Sequence, residues 1–224
     1  MNYLRVVALI FAKDFWEEIR RKENIVSSLL FASLSLVLFA FALDPTQVDL
    51  NETGSGLLWI IILFAGSLFM GASFRKEMED GTLQALLLSP VDRSAIYVGK
   101  FLVNLLFMVF LEGLLLVFSF LLLNFKPGPA LGALILVWLA VTVGYAALGT
   151  LFSALIAHVH GGQVIYPILL FPILIPLLIA AATLTQDALA GRPVLESQWL
   201  RLVVLFDTLF VTAAVFLFEY AVEE

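Results

Sequence analysis

The run ALGALILVWLAVTVGYAALGTLFSALI, residues 130–156, carries no Asp, Glu, Lys or Arg across 27 positions. About 20 helical residues cross a ~30 Å hydrocarbon core, so this run spans a bilayer with length to spare for tilt. It is apolar on every face rather than along one stripe, the pattern of a helix whose solvent is lipid. Five further runs of the same kind lie at about 25–43, 57–74, 95–123, 163–184 and 202–219. The sequence therefore predicts an all-α integral membrane protein with six transmembrane helices, organised as a single transmembrane domain over residues 1–224.

Composition agrees. Apolar residues make up 62% and charged residues 13% of the chain, against about 45–50% and about 25% in soluble domains. Transmembrane β-strands would need alternation of polar and apolar residues over ~10-residue segments, and the runs do not alternate. A formal charge of −6 leaves no concentrated basic face for a nucleic acid, so no such partner is expected. With no cysteine in the chain, disulfides, thiolate metal sites, Fe–S clusters and cysteine nucleophiles are excluded.

Basic residues give the orientation. The N-terminal segment carries Arg5, Lys13, Arg20, Arg21 and Lys22, and the second connection Arg75, Lys76 and Arg93, with Lys100 one turn into the third span. The opposite side has only Lys126, Arg192 and Arg201. Nine against three predicts both termini in the cytoplasm. Residues 3–22 read as an amphipathic helix with Leu4, Val7, Phe11, Phe15 and Ile19 on one face, and the stretch 1–24 as an interfacial helix held by anionic headgroups. A signal peptide would need a small-residue cleavage site after its apolar stretch, and charged residues follow instead.

Between the second and third spans lies Phe74-Arg-Lys-Glu-Met-Glu-Asp-Gly-Thr-Leu-Gln-Ala-Leu-Leu-Leu-Ser-Pro-Val-Asp-Arg93. Charges leave the membrane, Gly81 breaks the chain, one or two helical turns run from Thr82 to Leu88, Pro90 stops them, and Asp92 or Ser94 caps the next span. A short helix with a Leu83/Leu86/Leu87 face, and nothing of its own chain expected to cover it, reads as a docking knob for a soluble partner. A helix resting on the bilayer surface is the plainer alternative.

Polar groups inside spans are costly and mark packing or function. Glu112 lies deep in the third span, with Lys100 and Asn104 nearer its loop end, a possible intramembrane polar site. Two readings of Glu112 stand: a protonated group hydrogen-bonded between helices, or the lining of a transport groove. Asp207 is expected near the outer interface. Ala140, Gly144 and Ala147, like Gly66 and Ser73, read as close-packing positions. Pro167, Pro172 and Pro176 free backbone carbonyls in the fifth span and form a possible hinge. His158 and His160, the only imidazoles, read as solvated loop residues, because no carboxylate or thiolate accompanies them; no metal site is expected. The chain has no Gly-x4-Gly-Lys-Ser/Thr phosphate cradle, so nucleotide hydrolysis would belong to a separate subunit. His160-Gly-Gly-Gln163 matches an ABC signature only superficially, as it joins two spans.

Glu77-x-Glu79-Asp80-Gly81-Thr82-Leu83, followed by Leu87, Ser89-Pro90, Arg93 and Gly99-Lys100, resembles the first cytoplasmic loop of ABC-2 type exporter permeases, where it forms the coupling helix that receives force from an ATPase. Gly161-Gly162-Gln163, then Tyr166-Pro167 through Pro172 and Pro176 to Ile179, with Asp187 beyond, is similar to the B subunit of the bacterial cytochrome c maturation haem export system. Two departures from that pattern stand out: His158-Val159-His160 where basic residues are expected, and Ala180 where phenylalanine is. The resemblance covers essentially the whole chain. It implies a non-catalytic permease with an ABC-2 type bundle, located in the bacterial inner membrane. ATPase coupling would fall to Glu77, Glu79, Asp80, Gly81, Thr82, Leu83, Leu86, Leu87 and Pro90. Its implied partners are a cytoplasmic ABC ATPase, a haem-binding membrane subunit and a two-fold related second permease. The complex would act on haem as substrate or on the release of a haem-loaded chaperone, two readings that no residue here separates, and no cofactor is expected on this chain. Rival readings are an exporter of another hydrophobic substrate, an assembly subunit with no conduit, and, weakest, an intramembrane enzyme, for which no His-Glu-x-x-His or serine–histidine pair exists.

Overall fold

The computed structural model describes residues 2–43, 50–79, 81–88, 90–123, 131–159 and 161–221. Among them nine helices follow in order: α1 (Tyr3–Arg21), α2 (Glu23–Ala42), α3 (Leu50–Met70), α4 (Arg75–Glu79), α5 (Thr82–Leu88), α6 (Arg93–Leu122), α7 (Leu131–Leu155), α8 (Gly162–Leu189) and α9 (Gln198–Ala221). No strand occurs among the described residues. Six of the helices, α2, α3 and α6 to α9, are long and apolar enough to cross a membrane, and the protein is an all-helical membrane bundle.

Helix ends follow local chemistry. Lys22 adopts a left-handed conformation with φ 55°, its N–H closing α1 on the Glu18 carbonyl, and the chain turns sharply into α2. Gly81 at φ 68° separates α4 from α5, a conformation glycine adopts without a Cβ penalty. Asp92 caps α6, accepting a hydrogen bond from the Ser94 N–H at 2.9 Å, which satisfies one of the unpaired donors of the first turn. Several apolar runs extend beyond the sequence estimate: α3 begins at Leu50, α8 continues to Leu189 and α9 starts at Gln198.

The centre of the bundle is α3 and α7, while α2 buries only Ser28, Ala32 and Leu36 and α9 only Val203, Phe206, Ala214 and Phe218. α8 packs through Tyr166, Leu170, Leu174, Leu177, Ala181, Leu184 and Ala188, an inward stripe with steps of three and four residues. Buried tyrosines pin neighbouring helices by donating to backbone carbonyls. Tyr97 reaches Ala147 at 2.9 Å, Tyr145 reaches Leu63 at 2.6 Å and Tyr166 reaches Gly149 at 3.1 Å. Small residues make the approach possible: a Cβ on Gly66 would meet the Tyr145 hydroxyl at 2.7 Å, and one on Gly149 would meet Met70 at 2.7 Å.

A second, smaller apolar cluster closes the end of the bundle that bears α4 and α5. Val6, Val7 and Ile10 of α1 pack there with Phe74, Ile96 and Tyr97, and with Ala214 and Phe218 of α9. The buried side of α1 is Val6, Val7, Ile10 and Asp14, so the expected stripe is rotated. Leu4 is 74% exposed. Ile10 seats on Gly99 of α6, where a Cβ would lie 2.7 Å from it, and this close fit sets the rotation.

Candidate functional site: an ionic joint beneath the loop helices

Asp14 continues the apolar side of α1, and Lys100 lies on the apolar third span. Neither charge could be buried without a counter-charge, and the fold supplies one to both. Lys100 Nζ, in a side chain only 2% exposed, lies 2.5 Å from Glu77 Oε1 and 3.0 Å from Asp14 Oδ2. It also donates to the Ser73 carbonyl at 3.2 Å and sits 4.6 Å from the centre of the Phe74 ring. Lys13 Nζ completes the group, 3.1 Å from Glu77 Oε1 and 3.0 Å from Asp14 Oδ1. Two ammonium and two carboxylate groups thus bring α1, α4 and α6 together. Burial acts to lower the Lys13 ammonium pKa, but the carboxylates of Asp14 and Glu77 outweigh it and leave the pKa raised.

Asn104 extends the joint one turn deeper. Its Nδ2 donates to Ser73 Oγ at 3.3 Å and to Thr150 Oγ1 of α7 at 2.8 Å. The Phe74 N–H donates to Ser153 Oγ of α7 at 3.3 Å. Lys100 and Asn104 therefore serve the junction of the loop with α6 and α7, and Glu112 is not part of their group. Glu112, 2% exposed, stands separately, its Oε2 accepting from Thr142 Oγ1 at 2.5 Å.

The loop residues divide into two sets. Glu77 points inward and is 5% exposed, held by both lysines. Leu86 packs against the smaller apolar cluster, which corrects, for that residue, the expectation that nothing of this chain covers it. Thr82, Ala85 and Leu88 face outward, with Leu88 86% exposed; steps of three residues keep them on one side of α5. Gly81 and Pro90 are exposed turn residues. Glu79, Leu83 and Leu87 lie on the helices, but their side chains, and Asp80, Ser89 and His160 entirely, fall outside the described residues. A cleft of about 990 Å³ separates α5 from α1, lined by Lys13, Trp16, Arg20, Arg21, Ala85 and Leu86 among others.

Asp207 departs from expectation. It lies well inside α9 and is packed against Gly144 of α7, because a glycine at that point leaves room for a carboxyl. Pro167, Pro172 and Pro176 all lie inside one continuous α8; Pro172 and Pro176 are on its outward side. His158 is exposed and lines a second cleft with Arg75 and Gln163. Among the described residues no group of three His, Asp or Glu side chains could hold a metal.

A family model described as CcmB protein matches residues 5–224. The chain belongs to the CcmB family. Its relatives include Heme exporter protein B of Pseudomonas aeruginosa, 29% identical over 191 residues, which are 84% of each chain. The Rhodobacter capsulatus protein of the same name is 29% identical over 185 residues, 81% of this chain and 83% of its own. That of Bradyrhizobium diazoefficiens is 27% identical over 192 residues, 84% of each.

Asp14 and Lys13 join the site of this CcmB-family chain without being expected there from the motifs. A sequence signal for Asp14 exists, since Val7, Ile10 and Asp14 fall on one helical side. An ionised carboxylate on an apolar stripe calls for a counter-charge, and the third span carries one in Lys100.

Proposed function

We propose that this chain is the permease subunit of an ATP-driven haem exporter serving cytochrome c-type biogenesis, multi-pass in the bacterial inner membrane with both termini cytoplasmic. The proteins it aligns with over most of their length are named as heme exporters, and the basic residues cluster at the α1/α4–α5 end. Hydrolysis belongs to a separate cytoplasmic ATPase, and the chain acts on haem, or on release of a haem carrier, together with a haem-binding membrane subunit and a two-fold related second permease.

The observation that carries the coupling part of this reading is the outward Thr82/Ala85/Leu88 side of α5, of which Thr82 and Ala85 border the cleft beside α1. An exposed apolar side chain as large as Leu88 at the end of a short helix fits a pocket on a partner. Glu79 and Asp80 flank it in sequence and belong to the same contact in this reading. The test is co-purification of the complex's ATPase with full-length chain carrying Ala85→Asp and Leu88→Asp. Loss of the ATPase with membrane insertion intact supports the reading; undiminished ATPase with normal coupled hydrolysis refutes it.

A further inference from the structure

The joint formed by Glu77 differs from a docking contact in where it points. Glu77 is buried, and its carboxylate is held by Lys100 of α6 at 2.5 Å and Lys13 of α1 at 3.1 Å. Its backbone carbonyl accepts from Thr82 Oγ1, the first residue of α5, at 3.5 Å. One residue therefore meets α5 through its main chain and α6 and α1 through its side chain. From Lys100 the connections continue through the Ser73 carbonyl, and Asn104 one turn on reaches Thr150 of α7.

We propose that Glu77 and Lys100 are positioning residues that join α1, α4–α5 and the loop end of α6 into one moving body, so that displacement of α5 reaches the spanning helices through this ion pair. The proposal rests on the reading of α5 as the docking helix. A rigid link is what the role demands, because a flexible loop would absorb a small displacement instead of passing it on. The inserted charges are compensated in place: Lys100 has two carboxylates, a carbonyl and an aromatic face around it. Removing the Glu77 charge leaves Lys100 buried with Asp14 as its remaining carboxylate and releases Lys13 from α4.

The natural chain has no cysteine, so paired spin labels can be placed without background. Trp16→Cys on α1 and Ala85→Cys on α5 line opposite sides of the same cleft. In the full-length chain in lipid nanodiscs, electron–electron resonance should give one narrow separation. Glu77→Gln and Lys100→Met should lose that narrow distance while the protein stays monodisperse, and Lys100→Arg should keep it. A separation unchanged in Glu77→Gln overturns the joint whatever α5 contacts. In the assembled complex, Glu77→Gln should retain the ATPase on co-purification but lose permease-dependent stimulation of its hydrolysis, whereas Leu88→Asp loses the ATPase itself. Should Glu77→Gln lose the ATPase as Leu88→Asp does, Glu77 is a docking residue and the proposal fails. If instead Leu88→Asp retains the ATPase, the docking reading fails while the spin-label result still judges the joint.

Discussion

Lys100 Nζ and Glu77 Oε1 lie 2.5 Å apart although 23 residues separate them in the chain, and the pair closes the loop between α3 and α6 onto the span that follows it. Such a contact is strong only because the surrounding groups are already in place; two desolvated charges without Ser73, Phe74, Asp14 and Lys13 would cost more than their attraction returns. The Lys13 contribution has a definite pH sign. Its ammonium pKa is raised in the folded protein, so the stability it adds is fully present below the ordinary lysine value and is lost as pH rises through the higher folded value.

Gly99 should be intolerant of side chains. A Cβ there meets Ile10 at 2.7 Å and the Val7 carbonyl at 3.3 Å, and backbone cannot yield as a side-chain tip can. Gly99→Leu should lift α1 from α6 and expose the α1–α2 corner. Limited proteolysis should then cut at Arg20 or Arg21 faster than in the unaltered chain; equal cutting rates would contradict the packing described.

Thr142 holds the Glu112 carboxyl, and Thr142→Val removes that partner with little change of shape. A buried polar group left without its hydrogen bond costs about 1–3 kcal/mol. Thermal unfolding in detergent should show this loss for Thr142→Val and recover most of it in Thr142→Ser. If the threonine and valine forms unfold together, Glu112 is satisfied elsewhere.

Gly144 faces the Asp207 carboxyl, and a Cβ would also lie 3.1 Å from the Phe206 ring. Gly144→Ala should destabilise the α7–α9 contact by about 1–3 kcal/mol, the usual cost of overpacking. Because the two residues touch, Asp207→Ala should offset part of that loss in the double variant, a non-additivity measurable by a mutant cycle. Simple additivity would place Asp207 away from Gly144.

Class, the number of spans and the position of the loop helix followed from the sequence alone, whereas α4 (Arg75–Glu79) did not. Apolar runs free of charge can be dissolved only in lipid, and the turn chemistry of Gly81, Pro90 and Asp92 is local, so α5 falls at Thr82–Leu88 where the residues place it. Which way side chains face was not local. The α1 stripe is rotated because Ile10 must meet Gly99 and Asp14 must meet Lys100, and both partners lie far along the chain. Glu77 and Leu86 read as exposed loop residues in sequence, yet tertiary contacts bury the first in an ion group and pack the second onto the bundle. Asp207 and Glu112, alike as acids in spans, take different neighbours because only the assembled bundle sets Gly144 against one and Thr142 against the other. Hydrophobicity acts on each run independently and is legible one segment at a time. Charge pairing and close packing depend on two segments at once, and only the fold brings those segments together.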